Sequence, residues 1–72
     1  MKVKNVIKGL MNEYGKGIEE INIISDDRII YSGSVDGWNY TDVDMINYKR
    51  QVEGMEVKKR IMFNFRKAFI FV

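Results

Sequence analysis

Neither cysteine nor histidine occurs anywhere in this 72-residue chain. That double absence constrains the fold more than any residue that is present. A chain of this size buries only about 60% of the surface its unfolded form exposes, and its core yields a net stability of roughly 3–5 kcal/mol. Small domains ordinarily make up such a shortfall with disulfides or structural metals. Without Cys there is no disulfide, and without Cys or His the usual zinc and haem ligand sets are missing. Packing and self-association remain.

The hydrophobic share of 46% and the charged share of 31% fit a globular chain rather than a disordered one. No apolar run approaches the ~20 residues of a membrane span. The opening MKVKNVIKGL alternates Lys with aliphatics, unlike the continuous apolar stretch of a signal peptide. A cytoplasmic protein without a membrane partner is expected. There is no Pro and no linker or low-complexity stretch, so one domain is expected over residues 1–72.

Val3, Val6, Ile7, Leu10, Met11 and Tyr14 recur at helical spacing and predict a first helix, stopped by Gly15 and Gly17. Residues 18–25 (IEEINIIS) and 28–35 (RIIYSGSV), joined by Asp26-Asp27, predict a hairpin. Its alternation sets Ile21 and Ile23 against Ile24, and Ile29, Tyr31 and Val35 against Ile30. Asp36-Gly37 ends the second strand. Thr41 or Asp42 caps a short second helix reaching about Tyr48. The alternation over residues 52–65 predicts a long third strand with Met55, Val57, Ile61, Phe63 and Phe65 on one parity. Lys59 interrupts that parity, which predicts a bulge or break near 58–60. A turn at 65–68 leads into a last strand over 68–72. The expected fold is α+β: a two-layer α-β-β-α-β-β chain, with a four-stranded, mainly antiparallel sheet and helices on one face.

Catalysis finds little to work with. No imidazole base or thiolate nucleophile exists, so neither a Ser–His–Asp nor a Cys–His arrangement is available. Glu19 and Glu20 fall on opposite sides of a strand, and Asp26-Asp27 sits in a turn. The Asp-x-Asp of Asp42 and Asp44 reads as helix capping, because a calcium loop needs oxygen ligands where Trp38 and Tyr40 stand. Gly15-Lys16-Gly17 lacks the strand that precedes a phosphate-binding loop. The chain is expected to be no enzyme and to need no cofactor or metal.

Binding is the better prospect. Ile24, Ile30, Met62, and either Phe69 with Phe71 or Ile70 with Val72, fall on the sheet parity turned away from the helices, where alternation should place polar groups. In a domain short of core this predicts self-association, as a homodimer, through a sheet face or a strand edge. Trp38 and Tyr40 lie together on a connection, as residues of a protein-interaction hot spot do; a lone Trp also serves as a lid over a core edge. A partner protein is the first expectation, and nucleic acid the second. Residues 1–44 hold five Lys/Arg against eight Asp/Glu, and residues 45–72 seven against two. Lys58, Lys59, Arg60, Arg66 and Lys67 supply most of that basic half and are the candidate anion contacts.

Those cations bracket aromatics in KKRIMFNFRKAFIFV. Lys67, Phe69, Phe71 and Val72 resemble the aromatic strand of RNA-recognition domains, although Ala68 and Ile70 depart from its pattern and the order of elements differs. The Phe residues are also what the sheet needs for itself, at about 150–250 Å² each. The expectation is a C-terminal hairpin in which at least one parity of Phe side chains holds the core; if Phe63 is core, Phe63→Ala would cost ~3–5 kcal/mol. Finally, KVKNVIKGLMNEYG followed by INIISDDRIIYSG, within residues 2–33, resembles small uncharacterised proteins of phages and mobile elements of low-GC Gram-positive bacteria. The resemblance implies a small accessory protein that binds a host or phage macromolecule.

Overall fold

The computed structural model describes residues 1–13, 17–39, 46–58 and 60–72. Over these the chain is α+β, with two helices and a four-stranded sheet. The predicted caps at Thr41 and Asp42, and Tyr14, Tyr40, Val43 and Lys59, lie outside the described residues.

Helix α1 spans Val3–Asn12 and buries the predicted stripe of Val3, Val6, Ile7 and Leu10. Its start is held from a distance. Val3 N–H donates to the Met55 carbonyl at 2.9 Å and Val57 N–H to the Met1 carbonyl at 2.8 Å, around a bridge between Lys2 and Glu56. Gly17 follows with φ of +108°, a left-handed value that glycine adopts without a Cβ clash.

Strands β1 (Glu20–Ser25) and β2 (Arg28–Ser34) form the predicted hairpin. Asp26 and Asp27 both have positive φ, 48° and 63°, as a two-residue turn matched to strand twist requires. Asp tolerates that region because its short carboxylate bonds locally to the backbone. The register shifts between Ile23 and Ile24: Ile23 pairs with Tyr31, but Ile24 pairs with Ile29. Ile30 is the extra residue of a bulge. The predicted alternation therefore fails there, and Ile30 packs partly buried against the core while Ile29 is 63% exposed.

Ser34 ends β2 and starts a 3₁₀ turn over Asp36–Asn39 by accepting a 2.7 Å hydrogen bond from Gly37 N–H. A Cβ on residue 37 would fall 2.7 Å from that same oxygen, so a larger residue there would push the Ser34 hydroxyl aside. The turn delivers Trp38 into the core. Helix α2 spans Ile46–Glu53, further along the chain than expected, and buries Val52, which alternation had assigned to a strand. The strand expected from residue 52 instead begins at Ile61. β3 is Ile61–Asn64 and β4 is Lys67–Phe71, joined by a two-residue turn at Phe65-Arg66. Ahead of β3, Lys58 N–H donates to the Phe71 carbonyl and Phe71 N–H to the Arg60 carbonyl; Lys59, on which the irregularity was expected, lies outside the described residues.

Strand order is β2-β1-β4-β3. β1/β2 and β3/β4 are antiparallel, but the central β1 and β4 run parallel, so the sheet is mixed. Val72 N–H extends the parallel ladder to the Ile24 carbonyl at 2.9 Å.

The core selects one of the two parities left open for β4 and corrects the core assignment of Phe63. Ile21, Ile23, Ala68, Ile70 and Val72 are buried with Val3, Val6, Ile7, Leu10, Val35, Trp38 and Val52. On β4 the small and aliphatic parity faces inward, and Phe69 and Phe71 take the other. Phe63 is 58% exposed and Phe65 98% exposed. The reason is position: β3 is an edge strand with a neighbour on one side only, and Phe65 sits in the turn beyond it.

Candidate interaction surface

Register places five apolar side chains on the sheet face opposite the core. Ile24 pairs with Ile29 on one side and with Phe71 on the other. One step along the strands, Phe69 lies between Asn22 and Met62. The polar end of the same face is closed by Glu20, which pairs with Lys67. Asn22 is 5% exposed, yet its amide is satisfied: it donates to Glu20 Oε2 at 3.1 Å and accepts from Ser32 Oγ at 2.6 Å. A buried polar group with both bonds made fixes the register between β1 and β2 without an unsatisfied atom.

Where β1 and β4 end, their carboxyl ends open into a cleft of about 550 Å³. Ile24, Phe71 and Val72 form its apolar wall, and Asp26, Asp27, Lys58 and Arg60 its polar rim. The hairpin turn supplies the acids, and the segment leading into β3 supplies the bases. Lys58 Nζ lies 3.7 Å from Asp26, and the Arg60 guanidinium stacks 5.2 Å from the centre of the Phe71 ring. Both signs of charge over an apolar wall suit a ligand with mixed polarity, such as a polypeptide segment. A second trough, of about 270 Å³, runs between α1 and α2 over Trp38.

The candidate residues fall into three groups. Ile24, Met62, Lys58 and Arg60 come together on or beside the exposed face. Trp38 does not: it is 4% exposed, meets Tyr31 edge-on with ring centres 4.7 Å apart, and carries Lys49 Nζ at 5.2 Å. Its indole is a lid completing the core, and burial pushes the Tyr31 hydroxyl's pKa above its ordinary value. Arg66 and Lys67 form the third group, at the far end of β4, about 13 Å from Phe71 at strand rise. Arg66 bonds Glu19 at 2.7 Å, and Lys67 lies 3.6 Å from Glu20. The candidate cations Lys58 and Arg60 thus stand at one end of the sheet and Arg66 and Lys67 at the other, each with a carboxylate or ring beside it.

Sequence reading missed Ile29 and Phe63 as exposed residues and left open whether Phe69 and Phe71, here half-buried, take the face away from the core. Alternation had the signal for the last two, because one parity of β4 had to face away. Another cluster joins the N-terminal ammonium and Lys2 to Glu56, at 2.7 and 3.1 Å. The hydrogen bond from the ammonium, with that from Lys2, holds the Glu56 carboxyl below the ordinary carboxylate range. Among the described residues, no group of three or more acidic side chains is placed to hold a metal. No helix among them is long and apolar enough to cross a membrane.

The chain matches no protein-family model, no curated protein and no solved structure.

Proposed function

We propose that this chain is a small, non-catalytic protein-interaction module that works in the cytoplasm as a homo-oligomer. The observation that carries the reading is the concentration of exposed apolar groups on β3 and its turn: Met62 at 46%, Phe63 at 58% and Phe65 at 98%. Single exposed apolar residues are ordinary, but three along one edge strand and its turn mark a contact edge. The reading takes both helices to cover the sheet face that bears Ile21, Ile23 and Ile70. The face with Ile24, Ile29, Phe69 and Phe71 then continues the β3 patch. A role as an accessory protein of a phage or mobile element accords with the resemblance over residues 2–33.

Nucleic-acid binding has weaker support. It needs cations free to replace the counterions of successive phosphates. Here Lys58, Arg66 and Lys67 stand beside Asp26, Glu19 and Glu20.

Light scattering across a range of concentrations tests the proposal. The expected mass rises above the 8.5 kDa of one chain, and a hydrophobic dye binds the dilute protein more than the concentrated one. A mass of one chain at every concentration, with no dye binding, would overturn it.

A further inference from the structure

We infer that two copies join through their β3 edges, antiparallel about a two-fold axis at Met62, to make one continuous eight-stranded sheet. The inference rests on the self-association proposed above and names its surface and register.

The two edges of the sheet differ. β2 carries a bulge and the charged Arg28, devices that discourage added strands. β3, Ile61–Asn64, has no charge, no Pro and no bulge, and no other described segment pairs with its free side. Phe71 N–H donates to the Arg60 carbonyl, so Arg60, Met62 and Asn64 turn their backbone groups toward β4. Ile61 and Phe63 therefore present theirs to the outside.

Only a two-fold pairing that matches residues of the same face keeps core side chains with core side chains. With the axis at Met62, Ile61 of each copy opposes Phe63 of the other. Each such pair exchanges two backbone bonds, making four in all. With the axis at Phe63, Ile61 would oppose Phe65, whose φ of +57° takes it out of the extended conformation. That ladder keeps two bonds. With the axis at Ile61, the two Arg60 side chains approach as diagonal neighbours on one face and repel. At Met62, Arg60 instead opposes Asn64, an uncharged hydrogen-bonding partner.

The same register explains a mismatch at Phe63. Phe63 pairs with the buried Ala68 and so belongs to the core-facing parity, yet more than half of it is exposed. The neighbour it lacks is on the β3 side, where the second copy's Ile61 would stand. On the other face, Met62 of each copy meets its equivalent, and each is flanked by its own Phe69.

Cysteine substitution reads the register directly, because the chain has no cysteine of its own. Directly opposed residues without mutual backbone bonds lie about 4.5 Å apart at Cα, within the range for a disulfide. Residues at 63 would be offset by two positions, about 7 Å along the strands and 5 Å across, too far to bridge. Under mild oxidation Met62→Cys should become a disulfide-linked dimer, and Phe63→Cys should not. Met62→Lys, which sets two like charges face to face, should raise the association midpoint of the folded protein by about tenfold or more. Folding of each variant is checked by circular dichroism. Association without cross-linking at Met62, or with cross-linking at Phe63, would overturn this register and leave self-association standing. Unsubstituted protein that stays a single chain at every concentration would overturn both.

Discussion

Phe65→Gly should make this protein more stable, although it removes the bulkiest side chain of the β3–β4 turn. Phe65 has φ of +57°, where a Cβ crowds the following carbonyl at a cost of about 1–2 kcal/mol. Its ring is 98% exposed, so removing it forfeits almost no burial. Glycine returns about 0.5–1 kcal/mol of that gain through the freedom it adds to the unfolded chain. The net gain is about 0.5–1 kcal/mol, or roughly 2–8 °C in Tm for a domain of this size. Thermal and urea melts would measure it, run dilute so that association adds nothing. Phe65→Ala separates ring from backbone: it keeps the Cβ and should stay within about 0.5 kcal/mol of the parent. If Phe65→Gly melts no higher than Phe65→Ala, the strain argument fails. If Phe65→Ala loses more than about 1 kcal/mol, the ring is packed and the exposure is wrong.

The two parities of the C-terminal hairpin should separate as sharply. Ile70→Ala should cost about 2–5 kcal/mol, most of the domain's stability, while dilute Phe63→Ala should cost clearly less than the 3–5 kcal/mol of a buried Phe; a urea midpoint series would show the order. Acid sensitivity should depend in part on Glu56. Its pKa is depressed in the folded state, so its contribution is present above the unfolded carboxylate value and lost as pH falls through the folded one. Glu56→Gln should therefore flatten the acid limb of a stability–pH curve and leave the alkaline limb unchanged.

Local chemistry was legible in the sequence. The stripe Val3, Val6, Ile7, Leu10 could only be a helix face, and Asp26-Asp27 between two aliphatic runs could only be a turn. What depended on distant partners was not. Nothing in residues 20–25 says that they will lie beside residues 67–71 in the same direction, because no connection of turn type implies a parallel neighbour. Alternation marked two parities on β3 and β4 but could not say which turns inward. In the structure Ala68, Ile70 and Val72 are the parity that turns inward. Ile30 was misplaced for a related reason: a bulge adds a residue without any signal in the alternation. The extent of α2 was lost because Lys49, Arg50 and Gln51 carry no apolar period, leaving Val52 as the one buried side chain among those described on that helix. Of the candidate surface, Ile24 and Met62 could be found by parity. Phe63 could not, because its exposure comes from standing at an edge.

The parallel pairing of β1 with β4 also sets how this chain must fold. Glu19 and Arg66, which meet at the start of that pairing, are 47 residues apart, and closing such a loop costs roughly 3 kcal/mol in chain entropy. Neither hairpin offsets that alone, since a two-stranded hairpin in water is marginal at best. α1 cannot anchor early either, because its first turn is tied to residues 55–57. Each half of the chain withholds the contacts that stabilise the other. Folding should therefore be slow for its size and all-or-none, with amides of both central strands exchanging only when the whole domain opens.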